Sequence, residues 1–301
     1  MKIDKRNGDV CFSEDTHTYF NVNDENKRYI SVTTLIGQYE QEFQKDFWSA
    51  YKALEKLLPK DAWNLEKKSL LASKKFNKEI LETYNISEND FNKAQQDILD
   101  EWDKNNREAC ERGTKIHSEL ENSFYKAGKN VTLQKFGIGG KFECRKDYTD
   151  LDLEYGVYPE YLIYRESADG ILKLAGQIDL IIKSGNDIIL VDHKSNKKID
   201  LKSGYDSKTK TTAKMKYPLN TLDDCNMSHY TMQLSTYAWM LQKINPDFVI
   251  KDLILNHYDH EGNNTLYHCE YRKDDVERML YHYKKRLILE QQRSKRKRIE
   301  Y

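Results

Sequence analysis

The sequence predicts an α/β protein whose mixed central β-sheet is flanked by helices, with a helical extension on its N-terminal side. Three features lead to that class. From about Gln44 to Lys126, apolar residues recur among Lys and Glu in a helical pattern. Beyond Gly128 the pattern turns to β-type runs, VYPEYLIYRE, ILKLAGQIDLIIK and DIILVDHKS. A helical run, HYTMQLSTYAWMLQK, then separates these strands from two more, so the two kinds of element are interspersed.

In chain order, residues 9–36 read as short strands, VCFSED, THTYFNV and RYISV, separated by polar turn residues. Ser31, Thr33 and Thr34 then open a helix ahead of an apolar stretch. Trp48, Tyr51, Ala53, Leu54, Leu70, Leu71, Ile80, Leu81 and Tyr84 mark a helical reading as far as Asp103. Asn105 to Lys126 continues as a long polar-faced helix containing RGTKIHSELE. ILKLAGQIDLIIK and DIILVDHKS are joined by SGN, a compact hairpin signal. Residues 196–228 are polar, Lys-rich and without clear period. After HYTMQLSTYAWMLQK come the strands VIKDLILNHYDH and NTLYHCEYR, and a last helix runs from about Asp274 into RSKRKRIEY. No internal repeat and no sharp change of composition divides the chain. The expected organisation is N-terminal strands and a helical wall over 1–100, in one globule with a core over 101–292. The core carries the Lys-rich insertion 196–228, and 293–301 form a basic tail.

Composition narrows the function. Across 301 residues, 49 Lys+Arg balance 49 Asp+Glu, so the formal net charge is zero. A mean hydropathy of -0.87 with 33% charged residues is not that of an integral membrane protein. No apolar run approaches the roughly 20 residues that a spanning helix needs. The start, MKIDKRNGDVCFSED, lacks the apolar core of a signal peptide, so a cytoplasmic location without membrane contact is expected. With 21 Tyr, 10 Phe and 4 Trp against 4 Pro, the chain has the large side chains of a folded protein. Cys11, Cys110, Cys144, Cys225 and Cys269 are odd in number and form no CxxC pair, which suits reduced thiols. Zero net charge argues against whole-molecule attraction to nucleic acid and leaves room for a local basic groove.

Strand periodicity singles out the candidate chemistry. In ILVDHKS, Asp192 and Lys194 share one face and His193 points to the other. Their Cα atoms should lie about 7 Å apart, at roughly 3.3 Å per residue. In LAGQIDLII, Asp179 shares a face with Gln177, while Ile178, Leu180 and Ile182 form the other. Gly176 suggests a bulge or the close approach of another backbone. The short turn makes Asp179 and Asp192 neighbours, and two buried carboxylates repel unless a cation lies between them. Hard oxygen ligands suit Mg²⁺ or Mn²⁺, which activate water and stabilise charge on a phosphoryl group. Lys194 would then orient the attacking water or neutralise the pentavalent intermediate. On these residues alone, an exposed Asp192–Lys194 ion pair on an edge strand remains the other reading.

The order His117 (in GTKIH), Asp179 (in GQID), Asp192-x-Lys194 and Gln233-x-x-x-Tyr237 resembles the RecB-like branch of the PD-(D/E)xK nucleases. The resemblance covers about residues 105–245, and HTYFNVNDENKRYISVTTLI is similar to phage-borne members. Ile178 stands where the family's usual Pro-Asp pair has its first residue. The resemblance implies a restriction-endonuclease-like core in which Asp179 and Asp192 bind metal and Lys194 is the catalytic lysine. It adds the His193 backbone carbonyl and His117 as further ligands, and Glu160 (in VYPEYLIY) as the acidic residue that often precedes the GxxD strand. Glu121, four residues after His117, shares its helical face. Gln233 and Tyr237, at i and i+4, would contact DNA or position the lysine, and Tyr237→Ala should cost more than Tyr230→Ala if Tyr237 faces the cleft. An iron–sulfur subgroup uses three cysteines near the C-terminus; only Cys269 lies there, so no cluster is expected.

Lys197, Lys198, Lys202, Lys208, Lys210, Lys214 and Lys216 follow the catalytic strand and read as a flexible basic cover that tracks phosphates. Lys208, Lys210, Lys214 and Lys216 are its expected DNA contacts, with RSKRKR an accessory one. The implied activity is Mg²⁺- or Mn²⁺-dependent hydrolysis of DNA, exonucleolytic from linear single- or double-stranded ends. Phage-type replication or recombination is the expected setting, with a protein of that machinery as partner, in the cytoplasm of a bacterial host. The alternative is a catalytically silent DNA-binding or virion-associated protein on the same fold. Intact Asp179, Asp192 and Lys194 argue against that alternative.

Overall fold

The computed structural model describes residues 3–146, 153–206 and 210–299. They fall into two compact units, one of Met1–Gln41 with Lys115–Tyr301 and one of Glu42–Thr114. The first begins with strands β1 (Lys5–Asn7), β2 (Val10–Ser13), β3 (Thr18–Asn21) and β4 (Asp24–Ser31), then helix α1 (Val32–Gly37). Ser31 starts that helix because its Oγ accepts from the Thr34 N–H at 2.9 Å, satisfying a donor the helix cannot.

The second unit is helical: α2 (Lys45–Leu57), α3 (Lys60–Ser73), α4 (Glu79–Thr83) and the start of α5 (Glu88–Ala127). Pro59 holds Leu58 extended and so ends α2. Phe47, Ala50, Ala53 and Leu54 recur at helical spacing and pack with Trp63, Leu70, Leu81, Phe91 and Ile98 into a core of this unit's own.

The rest of the first unit adds a small pair, β5 (Val131–Leu133) and β6 (Ile138–Phe142), then β7 (Gly156–Glu166), β8 (Lys173–Ser184) and β9 (Asp187–Lys194). A second small pair, β10 (Tyr205–Asp206) and β11 (Thr211–Thr212), precedes α6 (Asn226–Ile244), β12 (Val249–Tyr258), β13 (Asn264–His268) and α7 (Lys273–Ile299). Nine of the described strands form one mixed sheet in the order β1-β2-β3-β4-β8-β9-β12-β13, with β7 on the other side of β8. The β8–β9 hairpin closes where Ser184 faces Asp187, leaving Gly185-Asn186 as the turn, and Gly185 takes the positive φ this turn needs. From β9 the chain crosses by α6, so β12 lies parallel to β9.

Helices cover both faces of the sheet. On one, Ile181, Ile188, Leu190 and Leu253 pack against Leu234, Ala238 and Leu241 of α6 and Val276, Met279 and Leu280 of α7. On the other, Leu180, Ile182, Val191 and Ile254 meet Phe124 of α5 and Leu133. Each of these Leu, Ile, Val, Met and Phe side chains contributes about 1.5–3 kcal/mol of burial. No helix among the described residues is long and apolar enough to cross a membrane.

Three expectations are corrected. Alternation along β8 breaks at Asp179, since Ile178 packs with Ile181 while Leu180 and Ile182 pack opposite. The β7–β8 ladder skips Glu160 opposite Asp179, and Glu160 takes a positive φ of 50°, so the pleat turns over there. Gly176 does accept a close approach, but by a side chain: a Cβ there would lie 2.6 Å from Cε1 of Tyr237. Among its described residues the segment 196–228 is not a loose cover, because Met215 and Leu219 are buried in the main core and the Lys216 N–H donates to the Tyr39 carbonyl at 2.6 Å. The last helix, α7, carries the basic residues at 293–298 within it.

Candidate metal centre

The sheet forks at Asp179. On one side of β8, β4 pairs up to Ala175 and β9 pairs from Leu180, with Gly176–Asp179 between the two partners. Asp179 fills part of this fork by accepting the His193 backbone N–H at 2.6 Å. Glu160 arrives beside it from β7, and α5 supplies His117. The His117 Nδ1 lies 3.0 Å from Glu160 Oε1 and 3.7 Å from Asp179 Oδ1. Its Nε2 lies 3.2 Å from the His193 carbonyl oxygen. One ligand atom each from His117, Glu160 and Asp179 fall within 4.8 Å of one another, a group that could hold a metal ion.

Electrostatics show a demand for positive charge. Burial, Asp192 and Glu160 push the Asp179 carboxyl up to about 7, against the pull of His117 and Lys194. Burial would lower His117, but Asp179, Glu160 and Asp192 outweigh it and raise the imidazole to about 9. Burial would likewise raise Glu160, but His117 and Lys5 hold it below the usual carboxylate range. A proton on His117 therefore serves as counter-charge to the cluster. One imidazole nitrogen with carboxylate and carbonyl oxygens is a donor set that fits a divalent ion in place of that proton.

Asp192 lies next to this group but is engaged elsewhere. Its Oδ1 accepts from Gln233 Nε2 at 2.8 Å, and its Oδ2 is 2.7 Å from the Lys194 ammonium. Lys194 Nζ is also 3.4 Å from Gln233 Oε1 and 4.8 Å above the ring of Tyr230. Burial alone would lower the Lys194 pKa, yet Asp192 and Asp179 raise it, so the group stays cationic. Of the Gln233/Tyr237 pair, Gln233 makes the contacts to Asp192 and Lys194. Tyr237 is only 3% exposed, with its ring against Gly176 in the core. The aromatic ring under the lysine is Tyr230. Its hydroxyl donates to Asn196 Oδ1 at 2.9 Å, and His257 Nε2 holds the Asn196 carbonyl at 2.7 Å.

Sequence reasoning missed the contribution of the first strands. Lys5 Nζ lies 3.5 Å from Glu121 Oε1 and 3.4 Å from Glu160 Oε2. Glu121 also accepts from Tyr125 Oη at 3.1 Å. Gln177 Nε2 reaches Glu160 Oε2 at 3.4 Å, and the Tyr19 hydroxyl donates to Gln177 Oε1 at 3.5 Å. Burial, Glu160 and Asp179 push the Tyr19 phenol up, so it remains a donor. No local pattern marks Lys5 or Tyr19; only long-range sheet pairing brings them here.

The expected DNA-contacting lysines do not touch this cluster among the described residues. Lys214 pairs with Asp223 at 2.6 Å, Lys210 and Lys216 are exposed, and Lys208 lies outside the described residues.

No family model matches the chain, and none of the curated proteins matches it. Among solved structures it is similar to SSO0001, with 19% identity over 44% of this chain, half the length of that one, and a TM-score of 0.27. It is also similar to a Eubacterium rectale protein named "Putative exonuclease", with 12% identity over 86% of this chain and 80% of that one, and a TM-score of 0.33. Both scores lie well below 0.5.

Proposed function

We propose that the chain is a divalent-metal-dependent nuclease that hydrolyses DNA phosphodiester bonds and works as an exonuclease. The observation that carries this reading is the His117–Glu160–Asp179 group, with Asp179 buried and the other two partly so, and a cationic lysine held beside it. His117, Glu160, Asp179 and the His193 carbonyl would hold Mg²⁺ or Mn²⁺, with Asp192 available if it exchanges its Lys194 or Gln233 partner. Such an ion supplies charge stabilisation at a phosphoryl oxygen and a nucleophile at neutral pH. Lys194 would donate to the charge that develops on the phosphate. Gln233 and Tyr230 would fix the lysine's direction. Exposed Lys210 and Lys216 would follow the DNA backbone outside the site, together with Lys208.

The motif order of the RecB-like PD-(D/E)xK nucleases supports the exonuclease reading. It also supports a phage-type replication or recombination setting in a bacterial cytoplasm, with a protein of that machinery as partner. The test is incubation with end-labelled linear DNA and its covalently closed form under Mg²⁺, Mn²⁺ or EDTA. Linear DNA should be degraded with either ion and spared by EDTA, while the closed circle persists. Comparable loss of the circle would make the enzyme an endonuclease, and loss of neither form would favour a silent DNA-binding protein.

A further inference from the structure

We propose that the Lys5 ammonium takes the place of a second metal ion, so that this acidic cluster accepts one divalent cation and excludes another. The inference rests on the metal-binding reading above. It begins from Glu160, which faces two ways: its Oε1 lies 3.0 Å from His117 and its Oε2 lies 3.4 Å from Lys5. In a two-metal hydrolase, where the ions lie about 3.5–4 Å apart, a carboxylate placed like this would bridge them. Here one side of Glu160 belongs to the His117–Asp179 group and the other to an ammonium. That ammonium also reaches Glu121, so the two carboxylates free to bind a second ion share one lysine.

Charge counting gives the same answer. Glu121, Glu160, Asp179 and Asp192 bring four carboxylates to the site, and Lys5 and Lys194 bring two ammonium groups. Two negative charges remain, which a single divalent ion held by a neutral imidazole and carboxylates cancels. A second divalent ion would leave a partly buried site with two surplus positive charges, an arrangement whose desolvation nothing offsets.

Lys5 is delivered to this position by more than its own contacts. Strand β1 pairs with β2, with Lys5 opposite Phe12. Two residues on, Asn7 is buried and its Nδ2 donates to the Leu162 carbonyl of β7 at 2.8 Å. The strand carrying the ammonium is thus pinned to the strand carrying Glu160.

The test is a count of bound Mn²⁺ on the full chain, by calorimetry and by the loss of the free-ion paramagnetic resonance signal. The wild-type protein should bind one ion, and Lys5→Ala should bind two. Lys5→Met, which keeps the packing of the stem, should also bind two, and Lys5→Arg should return the count to one. Two ions on the wild-type chain, or one on both Lys5→Ala and Lys5→Met, would overturn the placeholder role while leaving the metal centre intact. No ion on the wild-type chain would overturn the metal-binding reading itself.

Discussion

Replacing Lys194 by Ala should lower DNA cleavage by about 10²–10⁴-fold, the range for removing a positioned proton donor or charge stabiliser. Among the described residues Lys194 is the cation paired with Asp192, and it is aimed by Asp192 at 2.7 Å, Gln233 at 3.4 Å and the Tyr230 ring at 4.8 Å. The loss should fall on the single-turnover rate at saturating DNA, because the side chain is largely covered and adds little to DNA affinity. Mn²⁺ affinity should stay close to that of the unaltered chain, since His117, Glu160 and Asp179 keep their places. The variant should also be less stable, because Asp192 is 2% exposed and loses its counter-charge. Measuring rate, ion affinity and melting together separates these effects. A near-normal rate in a folded Lys194→Ala protein would remove the lysine from the chemistry.

Asp179→Asn should have the largest effect on the ion. Partners that only orient a ligand are worth about 10–100-fold in metal affinity, and a direct charged ligand should exceed that. Cleavage should fall with it. The substitution is nearly isosteric, and the Asn carbonyl can still accept the His193 N–H that Asp179 now holds at 2.6 Å. It also removes a carboxylate that burial and Asp192 disfavour, so metal-free stability should be kept or raised. Asp192→Asn should weaken ion binding less, since both Asp192 oxygens already serve Gln233 and Lys194. Calorimetry that finds unchanged Mn²⁺ affinity in Asp179→Asn would reject this residue as a ligand.

What the sequence revealed follows the reach of its patterns. A Gly-Asn turn between two apolar runs set the β8–β9 hairpin, and with it the meeting of Asp179 and Asp192. Period two placed Asp192 and Lys194 on one face, and helical spacing brought Gln233 to the site. The same spacing could not choose between Tyr230 and Tyr237. From Met232 to Ala238 every residue of α6 is buried, so no polar face marks which side meets the cleft. Lys5 and Tyr19 were illegible for a different reason: they arrive by strand pairings that carry no local motif. The turnover of the pleat at Glu160 depends on a positive φ at an ordinary residue, which composition does not signal. In the Lys-rich segment, Met215 and Leu219 fix the backbone, two apolar residues easily lost among the charges around them.

The most direct test of the metal centre is the anomalous scattering of Mn²⁺ in crystals of the full chain. The expected result is a peak coordinated by His117, Glu160 and Asp179, lost when EDTA is added. No peak at saturating Mn²⁺, or one whose ligands leave out His117 and Asp179, would contradict it.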